Sequence, residues 1–332
     1  MILVTGGAGY VGGHFLRTFL AGNKDTEVVV VDNLSEGHQR LLPARGIHFF
    51  KEDIGNVPAI EAIVSRFPIE AIVHFAASAY VGESQSDPFK YFGNNVAQSL
   101  KLFEAMERRG VTKIVFSSTC ATYGNPQYVP LDEKHPQCPV NVYGTTKLMV
   151  EQALKALANS RGWSCIFLRY FNAAGAHSSG EIGEDHQPET HLIPLALKVA
   201  SGELESVKIY GNDYETPDGT CIRDYIHVTD LARAHLRALD LVQKQQMVEG
   251  INLGTEKGAS VKEVIDRCEN VTGKKIATTI APRRPGDPPV LVANAKRAQD
   301  LLNWRAQFDL EGIIHSAWQW HSQNAAVGNR QK

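Results

Sequence analysis

The chain has 332 residues, 43% of them hydrophobic, which is enough to bury a full core and suits a large α/β domain plus a smaller lobe. A formal net charge of −2 gives no electrostatic footprint for nucleic acid or an anionic membrane, so neither is expected as a partner. The five cysteines (Cys120, Cys138, Cys165, Cys221, Cys268) lack paired or metal-type spacing, no apolar run nears membrane-spanning length, and a strand starting at Ile2 leaves no room for a signal peptide; reduced thiols and a cytoplasmic location are expected.

The apolar run Ile2–Thr5 predicts the first strand, and glycines fall at 6, 9 and 12 as the pattern turns helical. Gly6 permits a tight turn, Gly9 lets the backbone approach a pyrophosphate, and Gly12 lets helix and strand pack closely. The free N–H groups at the start of that helix would hold a diphosphate. Val28–Asp32 reads as the second strand, and Asp32 lies 20 residues beyond Gly12. A carboxylate there accepts hydrogen bonds from the adenosine ribose and repels a 2′-phosphate, so NAD is expected over NADP.

Further strands are predicted at Ile47–Lys51, Ala71–Phe75, Lys113–Ser117 and Cys165–Tyr170. Helices are predicted at Gly12–Leu20, Pro58–Phe67, Pro88–Arg109 and Val142–Arg161. Apolar runs without alternation imply a parallel sheet covered on both faces, hence a Rossmann-type, doubly wound α/β fold with ligands at the carboxyl ends of its strands. After about residue 172 the rhythm breaks into a polar loop, Ala173–Thr190, and a helix near Leu192–Gly202. Two loops rich in charge, glycine or proline follow, Gly211–Arg223 and Pro282–Pro289, and Leu310–Trp320 predicts a terminal helix.

Tyr143 and Lys147 stand four apart on a predicted helix and so share one face. A free phenol with a pKa near ~10 is a poor base at neutral pH. The ammonium, together with the positive nicotinamide, is expected to favour the phenolate, so that Tyr143 can take a proton from a substrate hydroxyl as hydride leaves the same carbon. A hydroxyl at the end of strand Lys113–Ser117 would hold the substrate oxygen. Thr119 is the expected one, with Ser117 and Ser118 as alternatives, because alternation alone does not fix which side chain points inward. Among the loop residues His177, Glu181, Glu184, Asp185, His186 and His191, the spacing matches no metal-ligand pattern, and no metal is expected.

Thr5–Gly12, Asp53-Ile54, His74–Ala77, Ser117–Gly124, Tyr143–Lys147 and Arg169–Asn172 resemble the extended short-chain dehydrogenase/reductases. Together with Tyr210–Tyr214, Asp218–His227 and Arg283–Asp287, they resemble more narrowly the UDP-glucose (UDP-galactose) 4-epimerase family, over nearly the whole chain. The resemblance implies NAD as cofactor, a UDP-sugar as substrate, and reversible inversion at C4 through a 4-keto sugar. UDP-N-acetylglucosamine and UDP-xylose/UDP-arabinose are alternative substrates; a 4,6-dehydratase or a non-catalytic NAD(H)-binding protein are the rivals. It implies a dinucleotide domain over 1–172, rejoined by about 225–255, and a mixed α/β lobe over 173–330 that mainly binds the UDP-sugar. A homodimer pairing the helices near Pro88–Arg109 and Val142–Arg161 is also implied, though Leu100, Phe103, Met149 and Leu154 would serve equally as sheet cover.

For single residues, the resemblance assigns Tyr10 and Val11, with Gly6, Gly9 and Gly12, to the NAD diphosphate. Asp32 and Asn33 fall to the adenosine ribose, Asp53 and Ile54 to the adenine, and Phe75, Ala76, Ala77 and Asn94 to the cofactor cleft. Ser117, Tyr170 and Phe171 accompany the nicotinamide side. Thr119, Tyr143 and Lys147 form the catalytic set. Asn172, His191, Leu192, Tyr210, Arg223, Arg284 and Asp287 face the UDP-sugar. Three positions depart from the usual pattern: Ala79 replaces a lysine near the NAD diphosphate, His191 replaces an asparagine, and Leu291 replaces a tyrosine that crowds the sugar C2 substituent. Ala79–Ser84 is similar to relatives acting on UDP-pentoses.

Overall fold

A run of β-branched residues with no polar alternation is stable only where both faces of its strand are covered. The computed structural model, which describes residues 1–22, 25–284 and 286–328, meets that demand with a seven-stranded parallel sheet. Its order is Val248–Leu253, Ser164–Tyr170, Lys113–Thr119, Ala71–His74, Ile2–Thr5, Val28–Asp32 and Ile47–Lys51. Every residue of Ile2–Thr5 and of Val28–Asp32 is buried. Pro285 of the expected Pro282–Pro289 loop and the end of the expected 173–330 lobe lie outside the described residues.

The strand order reverses beside Ile2–Thr5. From there the chain runs outward to Ile47–Lys51, returns to Ala71–His74 on the other side, and runs outward again. Loops diverge at such a switch point and leave a crevice at the strand carboxyl ends. Tyr10–Ala21 and Val228–Lys244 cover one face through Phe15, Leu16, Leu231 and Leu239. Val57–Val64, Ser99–Glu107 and Val142–Arg161 cover the other through Ile60, Leu102, Phe103, Val150 and Leu154.

A separate core joins Leu192–Ser201, Val261–Thr272 and Leu310–Gly328 through Ile193, Leu197, Val264, Cys268, Ile313 and Ile314. Ile222–His227 pairs there with Asn172–Ala174, Gly258–Ser260 and Val290–Leu291, and Val207–Tyr210 pairs with Thr278–Ala281.

Three local expectations need correction. The helix predicted over Pro88–Arg109 is α over Pro88–Tyr91, π over Phe92–Gln98 and α again over Ser99–Glu107. Such wide turns frequently mark functional segments. Here the π stretch carries Asn94 onto the cleft wall and Asn95 into a buried bridge to Ser78 and Thr146. Strand Lys113–Ser117 extends to Thr119, paired throughout with Ser164–Tyr170. Ala173 and Ala174, expected in a loop, belong to the strand Asn172–Ala174. Its partner, Ile222–His227, is remote in sequence, so no local signal marked it.

Candidate active site

The crevice at the switch point is one continuous cleft of about 1580 Å³, larger than the ~300–1,000 Å³ typical of a single-ligand pocket. Its floor is backbone. Gly6 follows the first strand with φ +70°, and a Cβ there would lie 2.5 Å from Ala76 N. A Cβ on Gly12 would lie 2.3 Å from Gly6 O, so the helix packs on the turn as closely as the chain allows. Gly9 is the N-cap of Tyr10–Ala21 and brings no side chain to the first-turn amides, which lack intrahelical acceptors. This cradle fits an anionic diphosphate.

Asp32 is buried at the end of its strand, accepting from Ala8 N at 2.9 Å and from Leu34 N at 2.8 Å. Burial lifts its carboxyl above the ordinary value, and those two amides oppose the rise. Val11, Asn33, Ile54, Phe75, Ala76 and Ala77 line the same half of the cleft. Tyr10 also lines it, its hydroxyl donating to Gly175 O at 2.6 Å. Asp53 does not line the cleft; its Oδ1 accepts from Gly55 N at 2.8 Å and shapes the turn behind Ile54.

The strand-end hydroxyls, ambiguous in sequence, separate cleanly. Ser118 donates to Glu151 at 2.6 Å on one face of the sheet, and Ser117 Oγ meets His235 at 2.8 Å on the other. Neither lines the cleft, whereas Thr119 does, with Tyr143, Tyr170, Phe171 and Asn172. Helix Val142–Arg161 begins beside them, capped by Asn141 accepting from Gly144 N, and Tyr143 N donates to Ser84 Oγ at 3.1 Å. Lys147 sits behind Tyr143, donating to Ser117 O at 2.8 Å with Nζ 5.9 Å from the Tyr143 ring centre.

The electrostatics of this pair depart from expectation. Burial pushes the Tyr143 phenol well above its ordinary value, and the contact with Thr119 works only partly against that. Burial also brings Lys147 down to about 7, with Glu151 opposing the fall. A lysine brought down to about 7 is only partly charged at neutral pH, so it favours the phenolate less than a full ammonium would, and burial keeps Tyr143 on the phenol side.

Sequence reasoning missed Glu151, which sits one turn beyond Lys147 and so on the same helix face. It takes both arms of the Arg169 guanidinium, at 2.9 and 2.7 Å, and Arg169 in turn holds the Tyr123 hydroxyl at 3.0 Å. The spacing from Tyr143 through Lys147 to Glu151 was the available signal.

Across the cleft stand Leu192, Tyr210, Arg223, Arg284, Asp287 and Leu291. Arg223, expected to face the UDP-sugar, is buried and already engaged by Asp287, Pro288 O at 2.9 Å and Ile222 O at 2.7 Å. Arg284 stacks its guanidinium on Tyr210, 4.1 Å from the ring centre.

His191 points Nδ1 at Glu184 (2.7 Å) and Glu189 (3.0 Å) rather than leaving that nitrogen for a diphosphate. Burial opposes charge on each partner, yet mutual attraction wins. It holds the Glu184 carboxyl well below its usual range and lifts His191 to about 10. The loop residues with no recognisable ligand spacing are thus brought together, because an irregular segment doubling back obeys no helical or hairpin period.

A turn-and-helix cradle for a dinucleotide diphosphate, a buried Tyr-x-x-x-Lys pair and a cationic far wall define a nucleotide-dependent α/β enzyme. Residues 2–254 match the NAD dependent epimerase/dehydratase family, and the chain belongs to that family. A UDP-glucose 4-epimerase of Rhizobium meliloti is 48% identical over 98% of each chain. A UDP-glucose 4-epimerase structure from Stenotrophomonas maltophila, with bound NAD and formylated UDP-arabinopyranose, superposes with a TM-score of 0.94 at 40% identity, covering 98% of this chain and 99% of that one. The UDP-Glc/GlcNAc 4-epimerase of Campylobacter jejuni superposes at 0.84 with 42% identity, covering 97% and 99%.

Proposed function

We infer that this protein is an NAD-dependent 4-epimerase of UDP-sugars, interconverting UDP-glucose and UDP-galactose. One observation carries the reading. The glycine cradle, the Thr119/Tyr143 pair and the Arg223/Arg284 wall line a single cleft large enough for a dinucleotide and a nucleotide-sugar together. The cradle, where added Cβ atoms would clash and helix amides are uncapped, fits the NAD diphosphate, and Asp32 fits the adenosine ribose.

When bound, NAD supplies an acceptor for the electrons of the C4–H bond and a positive ring charge that favours the Tyr143 phenolate. Tyr143 takes the O4 proton as the sugar is oxidised to its 4-keto form, and returns it to the inverted sugar. Thr119 holds O4, and Lys147, fixed by Ser117 O, steadies the tyrosine from behind. Arg284 and Arg223 grip the diphosphate, so that the pyranose turns about it while the nucleotide stays anchored. Asp287 exchanges part of its hold on Arg223 for that contact.

Dehydration requires an acid and a base directly after Thr119. Cys120 stands there with a thiol that burial pushes up to about 12, followed by Ala121, and neither moves protons at neutral pH. Incubating the purified protein with UDP-glucose and resolving the products is the test. Formation of UDP-galactose with nicotinamide retained on the protein is expected, and no interconversion of any UDP-sugar sinks the reading.

Leu291 on the cleft wall favours a second substrate, UDP-N-acetylglucosamine, because a leucine there leaves more room than a tyrosine. Leu291→Tyr is expected to suppress turnover of the N-acetylated sugar while sparing UDP-glucose. Phe89, Leu100 and Met149 lie exposed on the helices Pro88–Tyr91, Ser99–Glu107 and Val142–Arg161, while Phe103 and Leu154 are buried as sheet cover. The exposed three support a homodimer through that face. The free cysteines support a cytoplasmic location, and among the described residues no helix is long and apolar enough to cross a membrane.

A further inference from the structure

The loop before helix Leu192–Ser201 holds a cluster that the epimerisation chemistry does not use. Glu184, His186, Glu189 and His191 each bring one donor atom to a common point, all four within 4.8 Å of one another. Glu184 Oε1 lies 2.7 Å from His191 Nδ1 and 3.2 Å from His186 Nδ1, while Glu189 offers Oε1 at 3.0 Å from His191 and Oε2 at 3.9 Å from His186. A tetrahedral ion with ligand distances of ~2.0–2.2 Å sets its donors roughly 3.3–3.5 Å apart, so these separations bracket the requirement. The carboxylates are withdrawn from water, their side chains only 4% and 3% exposed. Buried anions of this kind need a cation among them.

The His186 side chain, 20% exposed, adds to this geometry. Its Nδ1 is buried and makes no hydrogen bond, although a Glu184 oxygen lies 3.2 Å away. A ring nitrogen buried beside a carboxylate, but misaligned with it, is placed for a shared centre rather than for a paired hydrogen bond. Two carboxylates and a divalent ion sum to zero charge, which suits a buried site as well as two imidazolium rings do. Imidazole and carboxylate donors together favour zinc and its first-row neighbours over magnesium or calcium, which take all-oxygen shells.

We propose that Glu184, His186, Glu189 and His191 form a structural site for a divalent transition-metal ion of the zinc class. Four protein ligands leave no open coordination position, so the ion is a clamp rather than a catalyst. It would tie an irregular eight-residue segment, 184–191, to the start of helix Leu192–Ser201. The His186 ring lies 6.1 Å from the Tyr10 ring and 5.8 Å from the Tyr80 ring, so the clamp would also set the roof of the cleft over the dinucleotide cradle.

The test uses tag-free, full-length protein with its nicotinamide retained, dialysed against a chelator and then against Zn²⁺, with metal counted by mass spectrometry. One Zn²⁺ per chain is expected, unaffected by excess Mg²⁺ or Ca²⁺, with a higher melting temperature than the stripped protein. The pair His186→Asn and Glu189→Gln should lose both the ion and the rise in melting temperature. Co²⁺ in the wild type should give the intense visible bands of tetrahedral coordination, and this readout stands even if the variants fail to fold. No bound zinc, zinc retained unchanged by folded variants, or a weak octahedral Co²⁺ spectrum overturns the proposal. None of these readouts depends on sugar turnover.

Discussion

The two walls of the cleft are built from different materials. The dinucleotide side is mostly backbone: a glycine turn with no room for Cβ atoms, uncapped helix amides, and Asp32 held by two of its own neighbours' N–H groups. The opposite side is side chains brought from far apart, with Arg223 engaged by Asp287 and Arg284 laid on Tyr210. A backbone wall is rigid and suits a ligand that stays. A side-chain wall can exchange partners and suits a ligand that enters, turns and leaves. The difference is one of preorganisation: the first wall is complete before binding, whereas the second gives up existing pairs to bind.

Four substitutions probe that contrast, in decreasing order of expected effect. Tyr143→Phe should cut kcat by ~10²–10⁴ while leaving UDP affinity and retained nicotinamide unchanged, as read by turnover and calorimetry. Parental turnover in this variant would remove the proton-transfer role. Gly12→Val forces branched carbons against Gly6 O, where even a Cβ would sit at 2.3 Å. It should cost ~1–3 kcal/mol of stability and abolish nicotinamide retention, yet spare UDP binding if the two walls are independent. Arg284→Ala should do the reverse, weakening UDP binding about tenfold by loss of a charge-assisted contact while keeping the cofactor.

The smallest effect concerns pH. Lys147 titrates at about 7 in the fold against 10.5 for an ordinary lysine, so between those values the unfolded chain binds the extra proton. Its contribution therefore makes stability rise with pH from about 7 to 10.5, with the full penalty below about 7. Melting curves of cofactor-free Lys147→Met should lose that slope relative to wild type. An identical slope in both would show that Lys147 is not desolvated.

Legibility in the sequence followed the same division. The parallel sheet was readable because continuous runs such as Val28–Asp32 fit no half-exposed strand, and the cradle because Gly6, Gly9 and Gly12 meet steric demands set within a dozen residues. Tyr143 and Lys147 were readable as one helix face. The choice among Ser117, Ser118 and Thr119 was not, since it depends on which helix covers each side of the strand. Nor was the pKa of Lys147, because desolvation is a property of everything packed around a group.

What local chain geometry demands is therefore written in the order of residues: strand composition, turn glycines, helix spacing and the dinucleotide cradle. Packing alone settled that Arg223 is shared with Asp287, that burial raises the Tyr143 phenol, and that four loop side chains converge on one point. Such convergence arises from contacts between distant segments, and distance along the chain carries no record of distance in space.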